Sequence, residues 1–218
     1  MINYQLIRSK RKTLSLQIDR QACLLVRAPM CLSVKKIEHF INEKQNWIRK
    51  KQAEIESKTP PKQNYASGNE YLFLGELYPL QHMESGDPLS FNGQSFQFNT
   101  QYEGYQVFHW FYKKEFIKTA IPILERLADK HNLNYKEVRF KAQKTRWGSC
   151  SARNNINLNY LLMMAPISVI EMVIAHELAH IVHKNHSKDF YALLTTMIPE
   201  HKQADVWLTQ HSSTLHNL

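Results

Sequence analysis

The chain has 218 residues, enough for one sizeable core or for a catalytic domain with a smaller appendage. An apolar fraction of 43% and a charged fraction of 22% are ordinary for a soluble globular protein; no apolar run is long enough to span a membrane, and residues 1–11 lack the apolar stretch of a signal peptide. The net charge of +9 belongs wholly to the N-terminal third, because residues 1–65 hold 14 Lys+Arg against 5 Asp+Glu and residues 66–218 hold 14 of each.

Residues 4–8, 13–18 and 23–28 read as short strands, the third stopped by Pro29. Ser33 opens a helix in which Val34, Ile37, Phe40, Ile41, Trp47 and Ile48 recur near helical spacing. Residues 57–68, with Pro60, Pro61, Ser67 and Gly68, form a linker candidate. This divides the chain into a basic strand-and-helix region over 1–58 and a catalytic domain over 66–218 that can pack with it as one unit. Strand-like pieces follow in 71–75, 76–80 and 95–99, and Asn92-Gly93 is a hairpin turn signal. Residues 108–131 form an amphipathic helix that Pro122 kinks or splits. Two strands, near 137–143 and 155–162, flank a turn region that contains Trp147-Gly148.

The helix from about Pro166 to His183 carries the chemistry. Ser168 and Glu171 are spaced as a capping box at its start, and apolar residues surround nearly its full circumference, so it is a buried helix. Its sequence His176-Glu177-Leu178-Ala179-His180 is HExxH. Four residues advance a helix by about 40° beyond one turn, so both imidazoles project from one face and can chelate one ion. Glu177 lies beside that ion and can take a proton from the attacking water. A catalytic zinc takes three protein ligands and leaves one position open. His186, six residues after His180, suits the third place, with Asn185 before it able to adopt the left-handed conformation that ends helices. His183 competes for that place but would lie too far along a straight helix, and Asp189 is a candidate to orient an imidazole.

The runs RWGSCS (146–151), NLNYLL (157–162), Pro166 and HELAHIVHKNHSKDF (176–190) resemble the YgjP-like metallopeptidase family, itself similar to the SprT-like minimal zincins. The resemblance extends to residues 28–51 and 71–80. It implies an α+β, zincin-like catalytic domain and one Zn2+ ion held by His176, His180 and His186, with Glu177 as base. The implied activity is peptide-bond hydrolysis, with a protein or peptide as substrate. Met197 does not serve as the Met-turn of the metzincin class, because it sits in the helical stretch FYALLTTMI.

Two other readings stand beside it. Residues 138–160 hold Arg139, Lys141, Lys144, Arg146 and Arg153 and no acid, so an anionic phosphoanhydride such as a nucleotide is an alternative substrate. The basic N-terminal region suits a nucleic-acid partner, or is a plain solvated face; a purely structural zinc would then need a fourth ligand, for which Cys150 is the nearby thiol. The strand over 155–162 is expected to offer an edge to an extended peptide. Arg146 and Tyr191 are the candidates for stabilising the charge that develops during reaction. Cys23, Cys31 and Cys150 form no CxxC pair, which points to a reducing, cytoplasmic compartment and to buried roles for all three.

Overall fold

Apolar–polar alternation in the first segment produces three strands: β1 (Tyr4–Ser9), β2 (Ser15–Ile18) and β3 (Leu24–Pro29). The computed structural model describes residues 3–19, 22–58 and 64–218, so Pro60 and Pro61 of the expected linker lie outside the described residues. The described residues form two compact units, the first ending at Lys58 and the second beginning at Asn64.

In the first unit β3 lies between β1, which runs parallel to it, and β2, which runs antiparallel. Leu24, Val26 and Ala28 point to one face and are buried with Ile37, Ile41 and Ile48. Those three come from α1 (Val34–Glu43) and α2 (Gln45–Lys58). The single helix expected from Ser33 is thus two, separated at Lys44, where the backbone leaves helical geometry (φ −97°, ψ 9°). The Arg8 guanidinium donates to the carbonyls of Pro29, Met30 and Leu32 at 2.8–3.0 Å, so this cation braces the β3–α1 connection. The cysteines do not take the buried positions expected of them. Cys23 and Cys31 flank β3 at its exposed ends, and Cys150 is partly exposed.

The second unit opens with a four-stranded sheet of β4 (Glu70–Phe73), β5 (Glu76–Met83), β6 (Leu89–Phe91) and β7 (Phe96–Asn99), in the order β4-β5-β7-β6. Leu74 and Gly75 both have positive φ (53° and 92°), as a two-residue hairpin turn of this twist requires. Their N–H groups donate to the carbonyls of Met163 and Met164, which ties this turn to the segment just before the HExxH helix. Asn92-Gly93 turns β6 into β7, with Asn92 Oδ1 accepting from the N–H groups of Gln94 and Ser95.

Phe108, Phe111 and Tyr112 of α3 (Gly104–Lys130) pack on Tyr71, Phe73 and Phe96 of that sheet. This helix starts four residues before its expected position because the Glu103 carboxylate accepts from Gln106 N–H and caps it. It also runs through Pro122 without being split.

A second sheet follows: β8 (Glu137–Lys141), β9 (Gly148–Cys150) and β10 (Asn155–Asn159). β10 is central, parallel to β8 and antiparallel to β9. It therefore has no unpaired edge to offer a peptide, contrary to expectation; the edges are β8 and β9, the latter read in the sequence as a turn. Three helices complete the unit: α4 (Ile167–Val182), α5 (Lys188–Met197) and α6 (His201–Leu215), the last not foreseen. The architecture is α+β. Among the described residues no helix is long and apolar enough to cross a membrane.

Candidate metal centre

α4 is buried along most of its length through Val169, Ile170, Met172, Val173, Ile174, Leu178 and Ala179. Burying each such aliphatic side chain contributes roughly 1.5–3 kcal/mol, enough to hold the helix rigid under the site. Its start differs from the expected capping box. Pro166 (φ −55°, ψ 150°) occupies the N-cap, Ser168 makes no cap, and Glu171 pairs with Arg126 of α3.

Rigid placement brings His176 and His180 side by side on α4, their ring centres 4.9 Å apart. The chain leaves the helix at His183, which is extended (φ −115°, ψ 104°), rather than through a left-handed Asn185. It then returns His186 to the pair, with ring centres 5.0 Å from His176 and 4.8 Å from His180. Ser187 caps α5 by accepting from Phe190 N–H. That cap directs the fully buried Phe190 ring beneath all three imidazoles, at 4.9, 4.7 and 4.8 Å.

One nitrogen from each imidazole lies within 4.8 Å of the others. The Nε2 atoms of His176 and His186 face each other at 3.1 Å. Two ligands on a tetrahedral zinc at about 2.0–2.1 Å stand about 3.3 Å apart, so this spacing fits an ion between them. His180 Nδ1 donates to the His183 carbonyl at 2.9 Å, which leaves its Nε2 lone pair free to bind. His183 thus contributes through its backbone. Asp189, in the first turn of α5, makes no hydrogen bond to these imidazoles among the described residues. Burial and the neighbouring imidazoles push His176 down to about 4, and burial also lowers His180, so both are neutral near pH 7, the form that ligates.

Glu177 is only 5% exposed, and its Oε2 has no hydrogen-bond partner among the described residues. Burial pushes its carboxyl up to about 8, opposed by the Arg146 guanidinium. An orphaned buried oxygen of this kind fits a site that takes a cation and a water. β9 makes room for it. A Cβ at Gly148 would stand 2.6 Å from Glu177 Cγ and 2.7 Å from Cδ, so only glycine lets the strand lie against the carboxyl. The Gly148 backbone was not singled out in the sequence, where it reads only as part of a turn.

Cations surround the centre unequally. The Arg146 charge acts on Glu177 and that of Lys184 on His180, and Lys184 donates to Asn154 Oδ1 at 2.8 Å. Arg139 makes a two-pronged exposed pair with Glu137 at 2.7 Å, which offsets its charge. Cys150 does not join the three imidazoles, and burial pushes its thiol up, away from the thiolate that would ligate. Asn159 is a second residue the sequence did not mark. Fully buried, it donates from Nδ2 to the carbonyls of Gln143 and Arg146 and accepts from Leu161 N–H, which pins the loop that carries Arg146. A polar residue adjoining the buried Leu158 was its only signal.

Residues 12–211 match the family model described as YgjP-like, metallopeptidase domain. Among curated proteins, the UTP pyrophosphatase of Escherichia coli (strain K12) is 32% identical over 107 residues, which are 46% of this chain and 64% of that protein. Among solved structures, the metallopeptidase zymogens of Pyrococcus abyssi abylysin and Methanocaldococcus jannaschii jannalysin are each 21% identical with a TM-score of 0.39. Each covers 43% of this chain, and 95% and 96% of their own chains are matched.

Proposed function

We propose that this chain, which belongs to the YgjP-like metallopeptidase family, is a zinc-dependent hydrolase of a nucleotide phosphoanhydride. In this reading His176, His180 and His186 hold one Zn2+ ion and Glu177 is the general base. The observation that carries it is a buried carboxyl, which a cation bound at the three converging imidazoles would hold ionised, with Arg146 and Lys184 as the charged side chains that act on Glu177 and His180. Cations around such a centre favour a polyanion over a neutral peptide. The name of the 32% identical relative, UTP pyrophosphatase, points the same way.

A zinc ion bound there supplies Lewis acidity, which lowers the pKa of water and draws charge from the bond under attack. The chain's residues do the rest. Glu177 Oε2 accepts a hydrogen bond from the attacking water and takes its proton as the new P–O bond forms. Arg146 offsets the negative charge on the phosphoryl oxygens, and Lys184 draws the polyphosphate towards the centre. Glu177 then returns the proton to the leaving phosphate oxygen as the P–O–P bridge breaks, so water and one phosphoanhydride give two phosphates.

Peptide-bond hydrolysis is the second reading, favoured by one feature. β9 is an edge strand whose Gly148 lies against Glu177, so an extended peptide added to it would pass the same base. Glu177 would then deliver its proton to the leaving amine. Assaying the zinc-loaded protein against UTP and the other nucleoside triphosphates, and against unstructured proteins, separates the two. Glu177→Gln should retain zinc and lose at least 100-fold in turnover of whichever substrate is cleaved. Undiminished turnover in that variant would overturn the mechanism.

A further inference from the structure

Against His176, one of the three imidazoles, lies a cavity of about 860 Å³, within the range of small-molecule sites. Three helices line it. α4 contributes Met172 and, one turn further on, His176; α5 contributes Lys188 and Tyr191; α6 contributes Lys202, Asp205 and Val206. The cavity thus shares a candidate metal ligand, His176, with the centre.

Its lining mixes charged, polar and apolar side chains. Lys188, two residues after His186, supplies one cation. Lys202 adds a second. Asp205 supplies an acceptor, while Met172, Tyr191 and Val206 supply apolar and aromatic wall. Lys188, Lys202 and Asp205 make no ion pair among the described residues, so their charges remain available to a ligand.

The wall is also held in place before any ligand arrives. The Thr195 hydroxyl donates to the Tyr191 carbonyl at 2.7 Å and pairs with Nε2 of the buried His201 at 3.1 Å. His201 in turn lies nearly parallel to the Tyr191 ring, 6.3 Å away. Tyr191 and Val206 are nevertheless 47% and 55% exposed, which leaves their surfaces open to the cavity.

We infer that this cavity is the subsite for the nucleoside end of a nucleoside triphosphate whose phosphates reach the metal centre. Lys188 and Lys202 hold the polyphosphate, Asp205 accepts from the ribose hydroxyls, and the planar base packs on Met172, Tyr191 and Val206. A carboxylate beside two lysines suits a ligand that is anionic at one end and rich in hydroxyl donors further along. The assignment rests on the phosphoanhydride reading given above.

The test is calorimetric binding of UTP to zinc-loaded Glu177→Gln protein, alone and with Tyr191→Ala or Val206→Trp added. Both extra positions are exposed, and circular dichroism checks that each variant is folded. The expected result is a Kd for UTP raised at least tenfold by either change, with the Kd for inorganic tripolyphosphate, which has no nucleoside, altered less than twofold. If UTP binds Glu177→Gln but both variants bind it within twofold of that value, the cavity assignment is overturned and the phosphoanhydride reading stands. Equal weakening of UTP and tripolyphosphate also overturns it, since the changes would then be disturbing the phosphate end. If Glu177→Gln binds no nucleotide and the wild type hydrolyses none, the phosphoanhydride reading falls and takes this inference with it.

Discussion

A carboxyl buried without a partner should weaken the protein that carries it, and Glu177, the proposed base, allows that effect to be measured. Its carboxyl is 5% exposed, and burial raises it from 4.5 to about 8. A carboxyl held above its free value keeps a proton that the unfolded chain has already released. Stability therefore falls as pH rises from about 4.5 to about 8 and is level above that. One pH unit is worth about 1.4 kcal/mol, so by pH 7.5 the metal-free protein is destabilised by about 4 kcal/mol. Glu177→Gln removes the titration and keeps nearly the same shape. Near pH 5 the two metal-free proteins should melt within a few degrees of each other. At pH 7.5 the variant should melt about 10 °C higher, since 1 kcal/mol moves Tm by roughly 2–4 °C in a domain of this size. The imidazoles of His176 and His180 also titrate, but they are present in both proteins and cancel in the difference. Scanning calorimetry on chelator-treated samples at the two pH values reads the effect directly. An equal Tm difference at both would show that Glu177 is not held protonated by burial.

Three further changes probe the surroundings of the centre. Gly148→Ala puts a methyl group against the Glu177 side chain, so zinc content by elemental analysis should stay the same while turnover falls about 100-fold through displacement of the base. Phe190→Ala removes the buried ring beneath the three imidazoles; it should cost about 3–5 kcal/mol by denaturant titration and weaken zinc binding by 10- to 100-fold. Asn159→Ala deletes the two side-chain hydrogen bonds that hold the Gln143–Trp147 loop and a third that Asn159 accepts from Leu161 N–H; it should cost about 1–3 kcal/mol and speed amide exchange in that loop first.

What could be read in the sequence was local. The i, i+4 spacing of His176 and His180 places both imidazoles on one helical face whatever surrounds the helix, so that pair was legible from residue order alone. His186 was legible as a candidate because its return needs only a short turn and the Ser187 cap, both local to the segment that follows the helix. The misread features depend on partners far along the chain. Ser168 and Glu171 have the spacing of a cap, but Pro166 already fixes the helix start and Glu171 is drawn to Arg126, 45 residues away. β9 has only three residues and no alternation to reveal it; its pairing with β10 makes it a strand. The same split runs through the chemistry. The residues that can hold a metal lie close together in sequence, whereas the groups that would choose its substrate do not. Arg146, whose charge acts on Glu177, sits on a loop pinned by Asn159, and the cavity needs α4, α5 and α6 together. A short motif can therefore identify a hydrolytic centre while leaving its substrate open, because substrate choice here is set by packing between elements that no local pattern records.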